Sequence, residues 1–117
     1  TPKPSSAASD VYKRQTIMSD RCDGVIALPG GFGTMEELFE VLTWAQLGLH
    51  KKPIGLLNVA GFYDALIAFI DQMVSNGLLK QINRDMLLVA DNAEVLLQMM
   101  NEYVAPDVPK WLNKETT

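Results

Sequence analysis

The sequence predicts an α/β fold in which a parallel β-sheet carries helices on both faces, a three-layer αβα arrangement. Two observations predict it: short apolar runs alternate with longer amphipathic stretches, and this strand-then-helix order occurs three times. Such alternation is typical of parallel sheets, because each strand needs a crossover helix before the next one. Three strands make a thin sheet, and parallel sheets are normally buried on both faces. We therefore expect residues 16–106 to be part of a larger domain whose N-terminal part is missing.

The individual elements follow from periodicity and from the residues that end each segment. The short apolar runs predict strands near residues 24–28, 53–58 and 86–90. Apolar residues at helical spacing predict helices near residues 34–47, 62–76 and 93–103, with boundaries good to about 2–4 residues. Gly48 is expected to follow the end of the first helix, His50 just beyond it to satisfy helix carbonyl groups, and Asn92 to cap the third helix.

The composition limits the classes of protein that the chain can belong to. Hydrophobic residues make up 48% and charged residues 21% of 117, as in globular domains. No apolar run approaches the roughly 18–20 residues of a membrane-spanning helix, and no basic-then-apolar leader opens the chain. The single cysteine, Cys22, excludes an internal disulfide and permits a reducing compartment, so we expect a cytoplasmic protein. A net charge of −4 disfavours nucleic acid and membrane surfaces as partners.

The two ends of the chain differ from its centre. Residues 1–10 contain no large apolar side chain, and residues 1–15 are predicted to be a disordered segment or sequence foreign to the protein. At the other end, Pro106 and Pro109 end the periodic pattern, and residues 107–117 are predicted to be a C-terminal tail.

A glycine-rich loop, Leu28-Pro29-Gly30-Gly31-Phe32-Gly33-Thr34, lies between the first predicted strand and the first predicted helix. Ligands of open α/β sheets bind at the carboxyl ends of the strands. The glycines leave backbone N–H groups accessible, and the helix N-terminus adds about half a positive charge. The loop lacks the Gly-Lys-Ser/Thr of a Walker loop, and Glu36 replaces the third glycine of a dinucleotide fingerprint. The loop therefore predicts a site for a phosphate group.

A purely structural interpretation of the same residues also stands. Thr34 and Glu37 have the spacing of a capping box, in which Thr34 caps the helix and Glu37 bonds back to its amide. Glu36 and Glu37 would then complement the helix dipole in the first turn. The residues alone favour binding over capping without excluding either.

A longer pattern extends on both sides of this loop. Pro-Gly-Gly-x-Gly-Thr-x-x-Glu at 29–37 is followed by Thr-Trp-Ala-Gln-Leu-Gly at 43–48, Lys-Pro-Ile-Gly-Leu-Leu-Asn at 52–58 and Gly-Phe-Tyr-Asp at 61–64. Over nearly all of residues 16–106, the chain closely resembles the LOG ("Lonely guy") family of cytokinin-activating enzymes. The resemblance implies a Rossmann-like fold, a homodimer, and hydrolysis of the N-glycosidic bond of a cytokinin riboside 5′-monophosphate or of AMP. The products would be the free base and ribose 5-phosphate.

The resemblance also assigns roles to residues. Glu37 matches the motif glutamate implicated in catalysis, and Arg14 stands at the spacing of a family arginine, with Gln15 in place of the neighbouring lysine. The positions that match or line the substrate-binding segment are Gly30, Gly31, Phe32, Gly33, Thr34, Met35, Glu36, Glu37 and Thr43. A carboxylate can stabilise an oxocarbenium-like ribose and orient water, while an arginine can bind phosphate through two hydrogen bonds. We expect no metal ion and no cofactor.

Two other functions remain open at this point. Rossmann-like nucleotide or cofactor carriers share a similar glycine-rich turn, and Glu37 would be dispensable in such a protein. A DNA-binding relative is disfavoured by the acidic balance of the chain. Some members of the family carry the label lysine decarboxylase, but no lysine stands in a context typical of pyridoxal phosphate binding.

Overall fold

A computed structural model describes residues 23–107 of the chain. The predicted segment 1–15 with Arg14, the cysteine Cys22, and all but the first residue of the predicted tail lie outside the described residues. The strands are β1 (Val25–Ala27), β2 (Ile54–Leu57) and β3 (Leu87–Ala90). The helices are α1 (Phe32–Gln46), α2 (Asp64–Ser75), the one-turn α3 (Gln81–Arg84) and α4 (Ala93–Glu102), with a short 3₁₀ turn at Val59–Gly61. None of these helices is long and apolar enough to cross a membrane.

The three strands form one parallel sheet in the order β1-β2-β3. Ile54 of β2 is in register with Val25 of β1 on one side and with Leu87 of β3 on the other. Because all strands run the same way, their carboxyl ends lie along one edge of the sheet, where the following loops meet. The predicted parallel sheet is confirmed.

Helices cover both faces of this sheet. The side chains of Ile54 and Leu56 are fully buried on one face, in a cluster with residues of α1 and α2 that includes Leu38, Val41 and Ile70. Gly55 lies between them and faces the opposite side, because successive strand residues alternate. A Cβ atom on Gly55 would lie 2.9 Å from Met100 Sδ and 3.0 Å from Leu96 Cδ1, both in α4. The glycine thus permits close packing of α4, and the predicted three-layer arrangement is confirmed.

The predicted elements agree with the observed ones to within about two residues at each end. Asn92 caps α4 as expected, because its Oδ1 accepts the Val95 N–H at 2.9 Å. Gly48 follows the end of α1 with a φ of 76°, a conformation that glycine adopts readily. The sequence pattern missed α3, since a single turn is too short to show helical periodicity.

His50 bonds to the backbone at both ring nitrogens. Its Nε2 lies 2.9 Å from the carbonyl oxygen of Val41 in α1, and its Nδ1 accepts the Lys52 N–H at 3.1 Å. An imidazole protonated at Nε2 satisfies both bonds. His50 thus bonds to a carbonyl of α1, as predicted, although Val41 lies five residues before the end of that helix.

Candidate functional site

The glycine-rich loop leads from the carboxyl end of β1 directly into α1. Gly31 occupies the N-cap position, with φ −106° and ψ −144°, and its carbonyl accepts the Met35 N–H at 3.1 Å. Because an α-helix bonds residue i to i−4, the N–H groups of Phe32, Gly33 and Thr34 have no acceptor within the helix. We call these three groups the amide row. Together with the positive end of a 15-residue helix, they form an anion-binding arrangement.

The capping-box interpretation is wrong. Thr34 is the third residue of α1 rather than its cap, and no side chain among the described residues caps this helix. The first turn contains no acidic residue, so Glu36 and Glu37 lie beyond the dipole-complementing positions. The helix begins two residues early because glycine is tolerated as an N-cap and Thr34 packs against Gly30, where an added Cβ would overlap its hydroxyl. Glu37 therefore neither closes a capping box nor complements the helix dipole in the first turn.

The glycines at positions 31 and 33 leave open space beside the amide row. An added Cβ would meet no atom of residues 23–107 within 4 Å at either position, and neither residue has a positive φ. Any residue type can therefore adopt the backbone conformation at these positions. The contribution of the two glycines is the space that a side chain would otherwise occupy. Because Cβ bonds tilt toward the helix N-terminus, a side chain at position 33 would lean toward the space that an anion needs.

Glu37 lies in a cleft between α1 and β1. The cleft is lined by Thr34, Glu37 and Leu38 from the helix and by residues 25–28 from the strand and its end. Within residues 23–107, no strand pairs with the outer edge of β1. Thr34 and Glu37 are about one helical turn apart. When the phosphate of a ligand is bound at the amide row, the group attached to that phosphate can therefore lie beside the Glu37 carboxylate.

Negative charge is concentrated on this side of α1. The pKa of Glu40 is raised above its ordinary value of 4.5, first by burial and then by the charges of Glu36 and Glu37. One carboxyl oxygen of Glu40, Oε1, is buried and meets no hydrogen-bond partner among the described residues. The negative potential opposes anion binding, so a bound phosphate depends on the amide row.

Replacement of Glu40 tests this electrostatic cost through the pH dependence of stability. Because the pKa of Glu40 is higher in the folded chain, the folded state binds more protons between the two pKa values, and stability falls as pH rises through that window. We expect Glu40→Gln to raise the Tm of the full-length protein at neutral pH, with the gain vanishing below pH 4.5. The control Glu94→Gln, at an exposed position in α4, should give no such gain. A gain that persists unchanged at low pH would contradict the electrostatic cause.

The structure does not bring Thr43 to this cleft. Thr43 follows Thr34 by nine residues, and at about 100° per residue it lies on the opposite side of α1. It is exposed, and its hydroxyl donates to the Phe39 carbonyl at 2.7 Å. Among the other predicted positions, Phe32 is 95% exposed beside the loop, Glu36 is exposed, and Met35 packs against the core.

Sequence reasoning missed two polar residues that contact the loop or support it. The Tyr63 hydroxyl donates to the Leu28 carbonyl at 2.5 Å, and Asn58 accepts the Tyr63 N–H at 2.7 Å. Both residues belong to the family-like patterns at 52–58 and 61–64. Periodicity could not assign their role, because the contact joins residues 35 positions apart.

Fold and site together define an α/β protein with a Rossmann-like parallel sheet and a glycine-rich loop at a helix N-terminus. A family model described as possible lysine decarboxylase matches residues 5–100. The chain therefore belongs to this family, and its curated relatives identify it as a member of the LOG group within it, as the sequence pattern predicted.

Several curated relatives carry the name cytokinin riboside 5′-monophosphate phosphoribohydrolase. LOG2 of Arabidopsis thaliana is 52% identical over 82% of this chain and 45% of its own length. LOG7 of the same plant is 48% identical over 83% of this chain and 45% of its own length. The rice enzyme LOG, from Oryza sativa subsp. japonica, is 51% identical over 84% of this chain and 40% of its own length. The chain thus spans less than half the length of these relatives.

Proposed function

We propose that the protein containing this chain is a nucleotide phosphoribohydrolase. It hydrolyses the N-glycosidic bond of a cytokinin riboside 5′-monophosphate, or of AMP, to the free base and ribose 5-phosphate. The observation that carries the proposal is the position of Glu37, about one helical turn from Thr34 of the amide row and in the same cleft as Thr34. The printed names of the relatives support this reaction and substrate class.

The proposed mechanism divides the substrate between two parts of the site. The amide row binds the 5′-phosphate, which directs the ribose into the cleft toward Glu37. As the bond from C1′ to the base nitrogen breaks, its electron pair leaves with the base, which takes up a proton. The ribose then carries oxocarbenium-like positive charge, which the Glu37 carboxylate stabilises. Water adds to C1′ and gives a proton to Glu37, which releases it to solvent in place of the solvent proton that the base took up, so each turnover consumes one water molecule and restores the carboxylate. Arg14 would add contacts to the phosphate.

A non-catalytic carrier is the competing proposal, and the amide row would serve it equally well. The position of Glu37 favours the enzyme. A negative charge beside an anion site weakens binding, and Glu37 neither caps α1 nor lies in its first turn. In a carrier, the Glu37 carboxylate would repel the bound anion, and the described contacts give Glu37 no structural role that would explain its presence.

We further propose that the protein acts as a homodimer in the cytoplasm. Thr43 lies on the side of α1 opposite Thr34, so within one copy the two residues cannot contact the same small ligand. If Thr43 contacts substrate, the substrate must be bound to a second copy. Phe39 is partly exposed on the same side of α1 and supports a contact surface there.

The experiment that tests the proposed function is product identification with the full-length protein. We expect incubation with AMP or with a cytokinin riboside 5′-monophosphate to release base and ribose 5-phosphate in equal amounts. Adenosine, which lacks the phosphate, should be cleaved far more slowly, because it cannot use the amide row. Binding of the nucleotides without release of base would instead establish the carrier.

A further inference from the structure

We propose that Tyr63 is a positioning residue, which holds the glycine-rich loop in its binding conformation through the hydrogen bond from its hydroxyl to the Leu28 carbonyl. The proposal rests on the proposed function, because it assigns Tyr63 a role at that same site. Tyr63 itself does not line the cleft that contains Glu37.

The bond acts at the point where the strand gives way to the loop. The paired residues of β1 end at Ala27, so Leu28 lies one position beyond the strand. Pro29 and Gly30 follow it and lead to the N-cap residue Gly31. A bond at the Leu28 carbonyl therefore fixes the entry to the loop, and with it the direction in which the amide row points.

Tyr63 can fix the loop because its own position is fixed by Asn58. The Asn58 Oδ1 accepts the Tyr63 N–H at 2.7 Å, and its Nδ2 donates to Asp64 Oδ1 at 2.8 Å. The Asn58 backbone N–H donates to the Ala90 carbonyl at 2.8 Å, at the end of β3. A continuous set of hydrogen bonds thus leads from β3 through Asn58 and Tyr63 to the loop after β1. We call Asn58 and Tyr63 the loop brace.

The turn inside the loop brace has an uncommon backbone. Ala60 has a φ of 51° and Gly61 a φ of 74°, so two consecutive residues are left-handed. This conformation is unfavourable for alanine and persists only where the surrounding contacts hold it. It brings the chain back so that Asn58 and Tyr63, five residues apart, can bond. The strained turn therefore places Asn58 and Tyr63 at the separation that their hydrogen bond in the loop brace requires.

The ring and the hydroxyl of Tyr63 have separate roles, the ring in core packing and the hydroxyl in hydrogen bonding to the loop. The residue is only 3% exposed, and its ring belongs to the buried core and contacts Phe62 edge-on, at 4.8 Å between centroids. Burial raises the pKa of the phenol above its ordinary value of 10.0, while hydrogen bonding to the Gly30 backbone lowers it less strongly. The hydroxyl is therefore protonated at neutral pH and can donate. Phenylalanine at this position would keep the packing and remove the donor.

The test compares Tyr63→Phe with Tyr103→Phe in the full-length protein. Tyr103, at the end of α4, is also partly buried and is remote in sequence from the loop. We expect Tyr63→Phe to raise the Kd for ribose 5-phosphate and the KM for AMP by roughly three- to tenfold, with a smaller change in kcat. Amide hydrogen exchange in the segment 30–35, measured at Met35, whose N–H bonds to the Gly31 carbonyl, should become faster without any ligand. Tyr103→Phe should change none of these quantities.

Each outcome decides the proposal independently of the proposed function. Unchanged hydrogen exchange at Met35 in Tyr63→Phe would overturn it, as would equal changes in the Tyr103→Phe control. Failure of Tyr63→Phe to fold would also overturn it, because the hydroxyl would then support the whole domain. Asn58→Ala provides a second variant and should accelerate exchange in the same segment. A wild-type protein that releases no base would contradict the proposed function, while the exchange measurement would still test the loop brace.

Discussion

Glu37→Gln in the full-length protein is expected to lower the rate of base release by about 10²- to 10⁴-fold while nucleotide binding persists. The amide keeps the size of the side chain but cannot accept a proton from water. It also cannot supply negative charge to the oxocarbenium-like ribose. Removal of a carboxylate beside the phosphate site should leave the Kd for AMP unchanged or lower it, because one repulsive charge is lost. The rate is measured by the release of adenine, and the affinity by calorimetry.

The structure makes this experiment easier to interpret than the sequence alone allowed. Glu37 has no capping role, so its replacement should change the Tm very little. Glu36→Gln is the matched control, because it removes the same charge one residue away, at an exposed position outside the cleft. Its effect on rate should be much smaller. Near-wild-type activity in Glu37→Gln would remove Glu37 from the mechanism.

Gly33→Val is expected to weaken the binding of ribose 5-phosphate by roughly 10- to 100-fold, the loss of one charge-assisted hydrogen bond or more. An added Cβ at position 33 meets no atom of the described part of the chain within 4 Å, so the new side chain fits this part of the fold. It leans toward the amide row and occupies space that the phosphate needs. Valine is also slightly better than glycine within a helix, so the Tm should be maintained.

Ala65→Val is the matched control for this variant. Ala65 is exposed and is the second residue of α2, the position that Gly33 occupies in α1. It should leave the Kd for ribose 5-phosphate unchanged and lower the Tm slightly, because valine is less favourable than alanine within a helix. Wild-type affinity in Gly33→Val would show that phosphate does not bind at the amide row, and a collapsed Tm would show that the open space at Gly33 has been misjudged.

The parts of the fold that the sequence predicted correctly depend on local patterns. The three strands are continuous apolar runs, and Asn92 and Gly48 act at the helix ends as their residue types indicate. The start of α1 was placed two residues late, because the polar pattern from Thr34 to Glu37 imitates a capping box. The true cap, Gly31, has no side chain that could signal its role.

In the candidate site, too, the features that depend on local contacts were predicted, and those that depend on distant contacts were not. The glycine-rich loop and its position before α1 follow from nearby residues, and both were predicted. Tyr63 contacts the loop from 35 residues away, and the charge on Glu40 matters because of burial as well as its neighbours. Such effects depend on how distant elements pack. The position of Thr43 is different in kind, because nine residues at about 100° per residue place it opposite Thr34 on the predicted helix, and the spacing alone already indicated this.

The central claim is that one cleft binds the phosphate at the amide row and presents the ribose to Glu37. A crystal structure of the full-length protein with ribose 5-phosphate tests it most directly. We predict phosphate oxygens about 2.7–3.2 Å from the backbone nitrogens of Phe32, Gly33 or Thr34, with the Glu37 carboxylate facing C1 of the ribose. A phosphate bound elsewhere, or a ribose directed away from Glu37, would contradict it.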